Sequence, residues 1–182
     1  CSALTRPAPV SVYGATKLAQ EHLLSSWGTA FGVQSVALRL QNVYGPGQSL
    51  TNSYTGIVSL FCRIAREGGR IPLYEDGQML RDFVYIDDVA DAIAAAIRLD
   101  VDEHCTLDVG TGVATTIQEL ANRISNIYHA PAPFVCGKYR YGDVRHAICD
   151  VAAARKSLSW VASRDLSIGL AALSEWINKE LN

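Results

Sequence analysis

Apolar positions along this chain follow two rhythms in turn, one of helical spacing and one of strict alternation. From Val12 they recur at Leu18, Leu23, Leu24, Trp27 and Phe31, with Ser11 placed to cap the helix start and Gly28 and Gly32 to fray its end. Val33 to Leu40 then alternates through Val36, Leu38 and Leu40, a strand running into the turn Tyr44-Gly45-Pro46-Gly47. After the polar stretch Gln48 to Thr55, helical spacing returns over Ile57 to Arg66 and is closed by Gly68-Gly69. Ile71 to Tyr74 and Phe83 to Ile86 read as short strands around the turn Glu75-Asp76-Gly77. Asp87 and Asp88 are expected to cap an alanine-rich helix to Leu99, acidic where its dipole is positive. Thr106 to Val109 repeats the strand pattern. Gly110-Thr111-Gly112 reads as the entry to a helix over Thr115 to Tyr128, begun by the capping-box-like Thr116-Ile117-Gln118-Glu119. A short strand over Phe134 to Cys136 precedes helices over Asp150 to Leu158 and Leu166 to Leu181. Strands alternating with helices predict an α/β class with a mostly parallel sheet.

The chain's 182 residues suffice for a sizeable core, and 16 basic against 18 acidic side chains leave no basic excess for a phosphate backbone. No nucleic-acid partner is expected. The most apolar run, Val89 to Leu99, is interrupted by Asp91 and stopped by Arg98, so no membrane span is expected either. The five cysteines are scattered, with no Cys-x-x-Cys pair, and the four histidines lie far apart. Neither a disulfide framework nor a metal site is suggested, and a reducing cytoplasm is the expected location. Because the sequence opens on Cys1 and meets a dense motif within a dozen residues, it is expected to be the C-terminal part of a longer polypeptide.

Four segments could carry chemistry. In Tyr13-Gly14-Ala15-Thr16-Lys17 the phenol and the ammonium are four residues apart, on one helix face. An adjacent cation draws a phenol toward its ionised form, which makes such a pair a candidate proton shuttle. Taken alone, a surface Tyr and Lys one turn apart is the better reading, since the pattern arises by chance in many proteins. Arg39-Leu40-Gln41-Asn42-Val43-Tyr44-Gly45-Pro46-Gly47 ends a strand, the position where open α/β sheets bind ligands, although taken alone an ordinary turn is the better reading. Arg81, just before a strand in Arg81-Asp82-Phe83-Val84-Tyr85-Ile86-Asp87-Asp88-Val89, could grip a phosphate with its fork or form a salt bridge to Asp82 or Asp87. Arg140-Tyr141-Gly142-Asp143-Val144-Arg145-His146 places two arginines around a Gly-Asp turn, which a solvated loop would also explain.

Taken in this order, Tyr-Gly-x-x-Lys with the following Glu21, Arg-x-x-Asn-Val-Tyr-Gly-Pro, Asp-Gly-x-x-x-Arg-Asp-Phe-Val-Tyr-Ile-Asp-Asp-Val and Arg-x-Gly-Asp are jointly specific. From about Pro7 onward the chain resembles the C-terminal half of the extended short-chain dehydrogenase/reductases, in particular the NAD-dependent nucleotide-sugar epimerase/dehydratase family. That resemblance implies a partial Rossmann-like parallel sheet lacking its N-terminal half, plus a small α/β substrate-binding domain. Residues 1–50 would be the remainder of the NAD-binding domain. Residues 51–182 would mainly bind the nucleotide sugar, with segments near 80–110 returning to the Rossmann sheet.

It further implies NAD as cofactor and a nucleotide-diphosphate sugar as substrate, with Tyr13 as the acid/base and Lys17 holding the nicotinamide ribose. Leu40 would belong to the cofactor wall. Asn42 would bond the diphosphate, Pro72 and Tyr74 would border the nucleobase, and Arg81, Arg140 and Asp143 would clamp pyrophosphate and ribose. The family's glycine-rich phosphate loop and the Ser or Thr that assists the tyrosine would lie upstream of this chain, so the chain alone is expected to bind NAD poorly and to turn over nothing. Thr16 stands where a serine is commoner. Gln41 to Gly56 resembles the 4-epimerases, including those acting on deoxythymidine-diphosphate sugars. A 4,6-dehydratase, a keto-sugar reductase or a non-catalytic binding module are the alternatives. A homodimer paired through the Tyr13–Lys17 helix is also implied, in keeping with apolar residues spread further round that helix than one buried stripe needs.

Overall fold

The computed structural model describes residues 6–50, 56–100, 104–139 and 142–181. Helix α1 (Val12–Phe31) starts where the sequence places it: Ser11 is extended and its Oγ accepts from the Gly14 amide at 3.1 Å. It runs through Gly28 and stops at Gly32, whose φ of 64° is the left-handed geometry that suits a residue without a Cβ. Strands β1 (Val36–Leu40) and β2 (Asn42–Tyr44) follow, then α2 (Ile57–Arg66), β3 (Pro72–Leu73), β4 (Leu80–Arg81), β5 (Phe83–Tyr85) and α3 (Ile86–Ile97). The remainder comprises β6 (Cys105–Val109), β7 (Thr115–Thr116), α4 (Ile117–Ile127), β8 (Phe134–Val135), β9 (His146–Ala147), α5 (Ala152–Leu158) and α6 (Leu166–Glu180).

The class is α/β as expected, and the pairings are mostly parallel: β1 with β6, β2 with β5, β3 with β8 and β4 with β9 are parallel, while β4 with β7 is antiparallel. At Gln41 the chain changes partner. The Gln41 amide still donates to Val109 at 2.9 Å, and the next amide, Asn42, donates to Asp82 at 3.0 Å. The β2–β5 pair then separates two cores, because successive strand residues point to opposite faces. Phe83, Tyr85 and Tyr44 face a cluster built with α2, α4 and α6, including Leu120, Ile124, Leu170 and Leu173. Val84 and Val43 face the other, with Val89, Ala92, Leu107, Val109 and Ala154 from α3, β6 and α5. Both faces are thus covered by helices, the condition under which parallel strands persist.

Three sequence expectations need correction. Asp87 and Asp88 do not cap α3, whose N-cap position is Tyr85 with no side-chain cap; both lie in the first turn. Asp88 is buried and turns inward, accepting from the Ser163 and Arg164 amides (both 3.1 Å), Ser163 Oγ (2.9 Å) and Arg164 Nη1 (2.8 Å). Secondly, Gly110-Thr111-Gly112 is not a helix entry, because β7 intervenes before α4. Thr116 does cap α4, accepting from the Glu119 amide at 2.9 Å, although the Glu119 carboxylate turns to Arg123. Thirdly, Asn42–Tyr44 is a strand, not part of the turn that follows.

The Gly110–Gly112 turn instead cradles the fully buried carboxylate of Asp82. Oδ1 accepts from the Thr111 amide (2.8 Å) and Thr111 Oγ1 (2.6 Å), and Oδ2 from the Gly112 amide (2.8 Å) and Cys149 Sγ (3.5 Å). Gly110 has to lack a side chain, since a Cβ there would stand 2.6 Å from Asp82 Oδ2. Replacing Asp82 by Asn exchanges an acceptor oxygen for an NH2 facing donors. The expected cost is roughly 3 kcal/mol in urea unfolding, and a loss below about 0.5 kcal/mol, the range of ordinary surface changes, would contradict the assignment.

Candidate functional site

Tyr13 sits in the first turn of α1, held there by the Ser11 cap and by Thr16, whose hydroxyl donates to the Tyr13 carbonyl at 2.8 Å. Lys17, one turn on, places its Nζ 5.7 Å from the centre of the Tyr13 ring and donates to Gln20 at 3.3 Å. Both side chains are exposed and line a cleft of about 680 Å³ between α1, the Pro7–Pro9 approach and the C-terminal half of β1. Leu40, the last residue of β1, lines the same cleft. The structure therefore brings together the three residues expected around the nicotinamide.

Arg39 and Glu21 close the cleft's side. Arg39 Nε meets Glu21 Oε1 at 2.8 Å and Nη2 meets Oε2 at 2.7 Å, a two-pronged pair from β1 to α1. The guanidinium holds the Glu21 carboxyl below the usual carboxylate range. Across the ladder from Arg39, Asp108 is buried, and burial pushes its carboxyl up.

A second group forms around β4. Arg81 Nη2 lies 2.7 Å from Asp143 Oδ1, and its Nη1 donates to the Leu80 carbonyl at 2.8 Å. Neither Asp82 nor Asp87 is its partner, contrary to the simpler alternative: Asp82 is turned into the Gly110–Gly112 cradle and Asp87 stands 3.6 Å from Arg164. Arg145 ties the same loop to the turn after β3, reaching Glu75 at 3.1 Å and Asp76 at 2.5 Å and holding the Asp76 carboxyl below its usual range. Pro72 and Tyr74 flank that turn, with β3 beside β8 and the Glu75 amide donating to the Lys138 carbonyl at 2.7 Å. Arg140 lies outside the described residues.

The two groups adjoin. A Cβ on Gly142, next to Asp143, would stand 3.6 Å from the Val10 carbonyl and 3.7 Å from the Ser11 Cβ, so the Arg81–Asp143 loop packs on the start of α1. Asn42 enters at the point where the chain leaves β6 for β5. Sequence reading missed the bracing by Arg145 and Arg39, both of which it had seen only as members of motifs. For Arg39 a signal existed, since Glu21 lies four residues beyond Lys17 on the Tyr13 face. For Arg145 there was none, because Glu75 and Asp76 are 70 and 69 residues away.

Among the described residues no helix is long and apolar enough to cross a membrane, and no group of His, Cys, Asp and Glu side chains could hold a metal ion. The sequence pattern of the NAD dependent epimerase/dehydratase family matches residues 2–110. A dTDP-L-rhamnose 4-epimerase of Burkholderia thailandensis is 54% identical over 178 residues, covering 98% of this chain and 49% of that protein. The crystal structure of a UDP-glucose 4-epimerase from Thermotoga maritima with UDP-glucose superposes with a TM-score of 0.93 at 31% identity, covering 100% of this chain and 58% of that one. MoeE5 in complex with UDP-glucuronic acid and NAD superposes with a TM-score of 0.90 at 32% identity, covering 99% and 60%. The chain thus spans roughly half the length of these proteins. With its sequence pattern matched over residues 2–110 and its fold shared with nucleotide-sugar epimerases, the chain belongs to the NAD dependent epimerase/dehydratase family.

Proposed function

We propose that this chain supplies the proton-transfer pair and the nucleotide-sugar clamp of an NAD-dependent nucleotide-sugar 4-epimerase. The observation that carries the reading is the adjacency of the Tyr13–Lys17 cleft and the Arg81–Asp143 pair through the Gly142 and Ser11 contact. The likeness to the Burkholderia enzyme supports a deoxythymidine-diphosphate 6-deoxyhexose as the substrate class. A cytoplasmic setting accords with the four described cysteines, all free thiols.

The residues present fit the nicotinamide end of NAD: an exposed ammonium, a phenol and the apolar Leu40 border one cleft large enough for part of a dinucleotide. NAD, when bound, supplies a reversible hydride acceptor for the sugar C4. Tyr13 Oη would take the C4 hydroxyl proton and return it, while Lys17 would stabilise negative charge on that oxygen and hold the cofactor ribose. Arg81 has five N–H donors, and its bonds to Asp143 and Leu80 leave others for a diphosphate oxygen. Asn42, Arg140 and Asp143 would complete the diphosphate and ribose contacts, and Pro72 and Tyr74 the edge of the nucleobase. Firm hold on the diphosphate with a loosely held sugar would let the sugar turn over between the two hydride transfers without release. Residues 1–50 with the segments near 80–110 would serve the cofactor side; the cluster joining β1, β5, α3 and β6 supports that grouping, with Ala154, Leu158 and Trp160 packed into the same core. The rest of 51–182 would serve the sugar nucleotide.

The full-length protein, incubated with deoxythymidine- and uridine-diphosphate sugars and followed by NMR, is expected to interconvert C4 epimers without added reduced cofactor. A 4-keto-6-deoxy product would make it a dehydratase, and dependence on reduced cofactor a reductase. Tyr13→Phe should lower turnover on the order of 10²- to 10⁴-fold, with sugar binding nearly intact.

We also propose a homodimer through α1. Val12, Leu23, Trp27 and Phe31 are exposed, the last two with rings 5.5 Å apart, and Gly28 is the helix's one buried residue. An apolar face of this kind suits a twofold, self-complementary contact. Light scattering of the full-length protein should report a dimer that Trp27→Glu weakens; a monomer at tens of micromolar would contradict it.

A further inference from the structure

Tyr13, Lys17 and Glu21 follow one another at four-residue steps along α1, and all three line the cleft against β1. Of these, Glu21 is anchored to the sheet, through both prongs of the Arg39 guanidinium at 2.7 and 2.8 Å. Arg39 had another carboxylate to choose: Asp108 faces it across the β1–β6 ladder, is buried, and leaves its Oδ2 without a hydrogen-bond partner. The fork nevertheless goes to the helix. At its far end α1 is closed on the segment leading into β1: a Cβ at Gly28 would stand 2.7 Å from the Val33 carbonyl and 3.1 Å from Ser35 Oγ. Glu21 lies between that local contact and Tyr13, about 12 Å along the axis from the tyrosine at ~1.5 Å per residue. Without the tie to Arg39, a helix held at its C-terminal end could turn about its axis or tilt, carrying the phenol and the ammonium away from Leu40.

We propose that the Glu21–Arg39 pair is a positioning device for catalysis, fixing the face of α1 that bears Tyr13 and Lys17 against the end of β1. The inference rests on the function proposed above and assigns that site a part the motif residues alone do not. Both side chains are partly exposed, at 26% for Arg39 and 22% for Glu21, and pairs with such access to solvent add little stability. What a two-pronged pair adds is orientation, and a lysine at 39 would keep the charge while losing the fork.

In the full-length protein, Glu21→Gln and Arg39→Lys are each expected to lower kcat on the order of 10- to 10²-fold, the cost of a misplaced reacting group. KM for the nucleotide sugar and the melting temperature should stay unchanged. The double variant should be no slower than the slower single one. Lys179→Gln, which breaks an exposed 2.7 Å pair with Glu175 on α6, should leave kcat at the wild-type value. Independently of turnover, amide exchange in the Glu21→Gln protein should quicken over residues 13–24 and stay unchanged at 28–31. Wild-type kcat in both variants, additive losses, a raised KM at constant kcat, or unchanged exchange would overturn the positioning role. An unmodified protein that turns over no nucleotide sugar would instead remove the proposed function, and this inference with it.

Discussion

A carboxylate wholly removed from water has to find donors, and Asp82 finds them by drawing four segments of the chain to one point. Its side chain takes the Thr111 and Gly112 amides, the Thr111 hydroxyl and the Cys149 thiol; its own amide donates to Ala147 and its carbonyl accepts from Asn42. The end of β6, the approach to β5, the start of β2 and the strand after the Arg140–His146 loop are thereby held in register. With Asp82 turned inward, the alternation of extended backbone sends its neighbour Arg81 the other way, toward Asp143. The buried group thus directs the cationic fork away from the Gly110–Gly112 cradle.

The two proposed tasks fall on different elements of this frame. The proposed proton-transfer pair belongs to a helix that hardly buries itself, tied to β1 by the Glu21–Arg39 pair. The proposed anion clamp is anchored at β4, beside Asp82 and the strand β5, whose Phe83 and Tyr85 face one hydrophobic cluster and Val84 the other.

Much of this was legible in the sequence, for reasons that differ by element. Helices α1, α2, α4 and α6 announced themselves through long apolar periodicity, and α1 and α4 through their caps at Ser11 and Thr116. The Tyr13–Lys17 face followed from helical geometry, and the order of motifs pointed to the family. The two-residue strands β4, β7 and β9 were not read, since alternation needs more positions than they have, whereas β3, β5 and β8 lie within longer apolar runs that were. Asp88 looked like a helix cap because acidic residues favour that position, and tertiary pairing with Ser163 and Arg164 overrode the local preference. Asp82 stood as one of two alternative partners for Arg81 because nothing in its neighbourhood revealed the donors 29 residues downstream.

The most direct test is a crystal structure of the full-length protein with NAD and a nucleotide sugar. The Tyr13 hydroxyl is expected within hydrogen-bond reach, about 2.6–3.2 Å, of the sugar C4 oxygen, with the Arg81 fork on the diphosphate. A sugar nucleotide bound with its diphosphate away from Arg81, or with C4 out of reach of Tyr13, would contradict it.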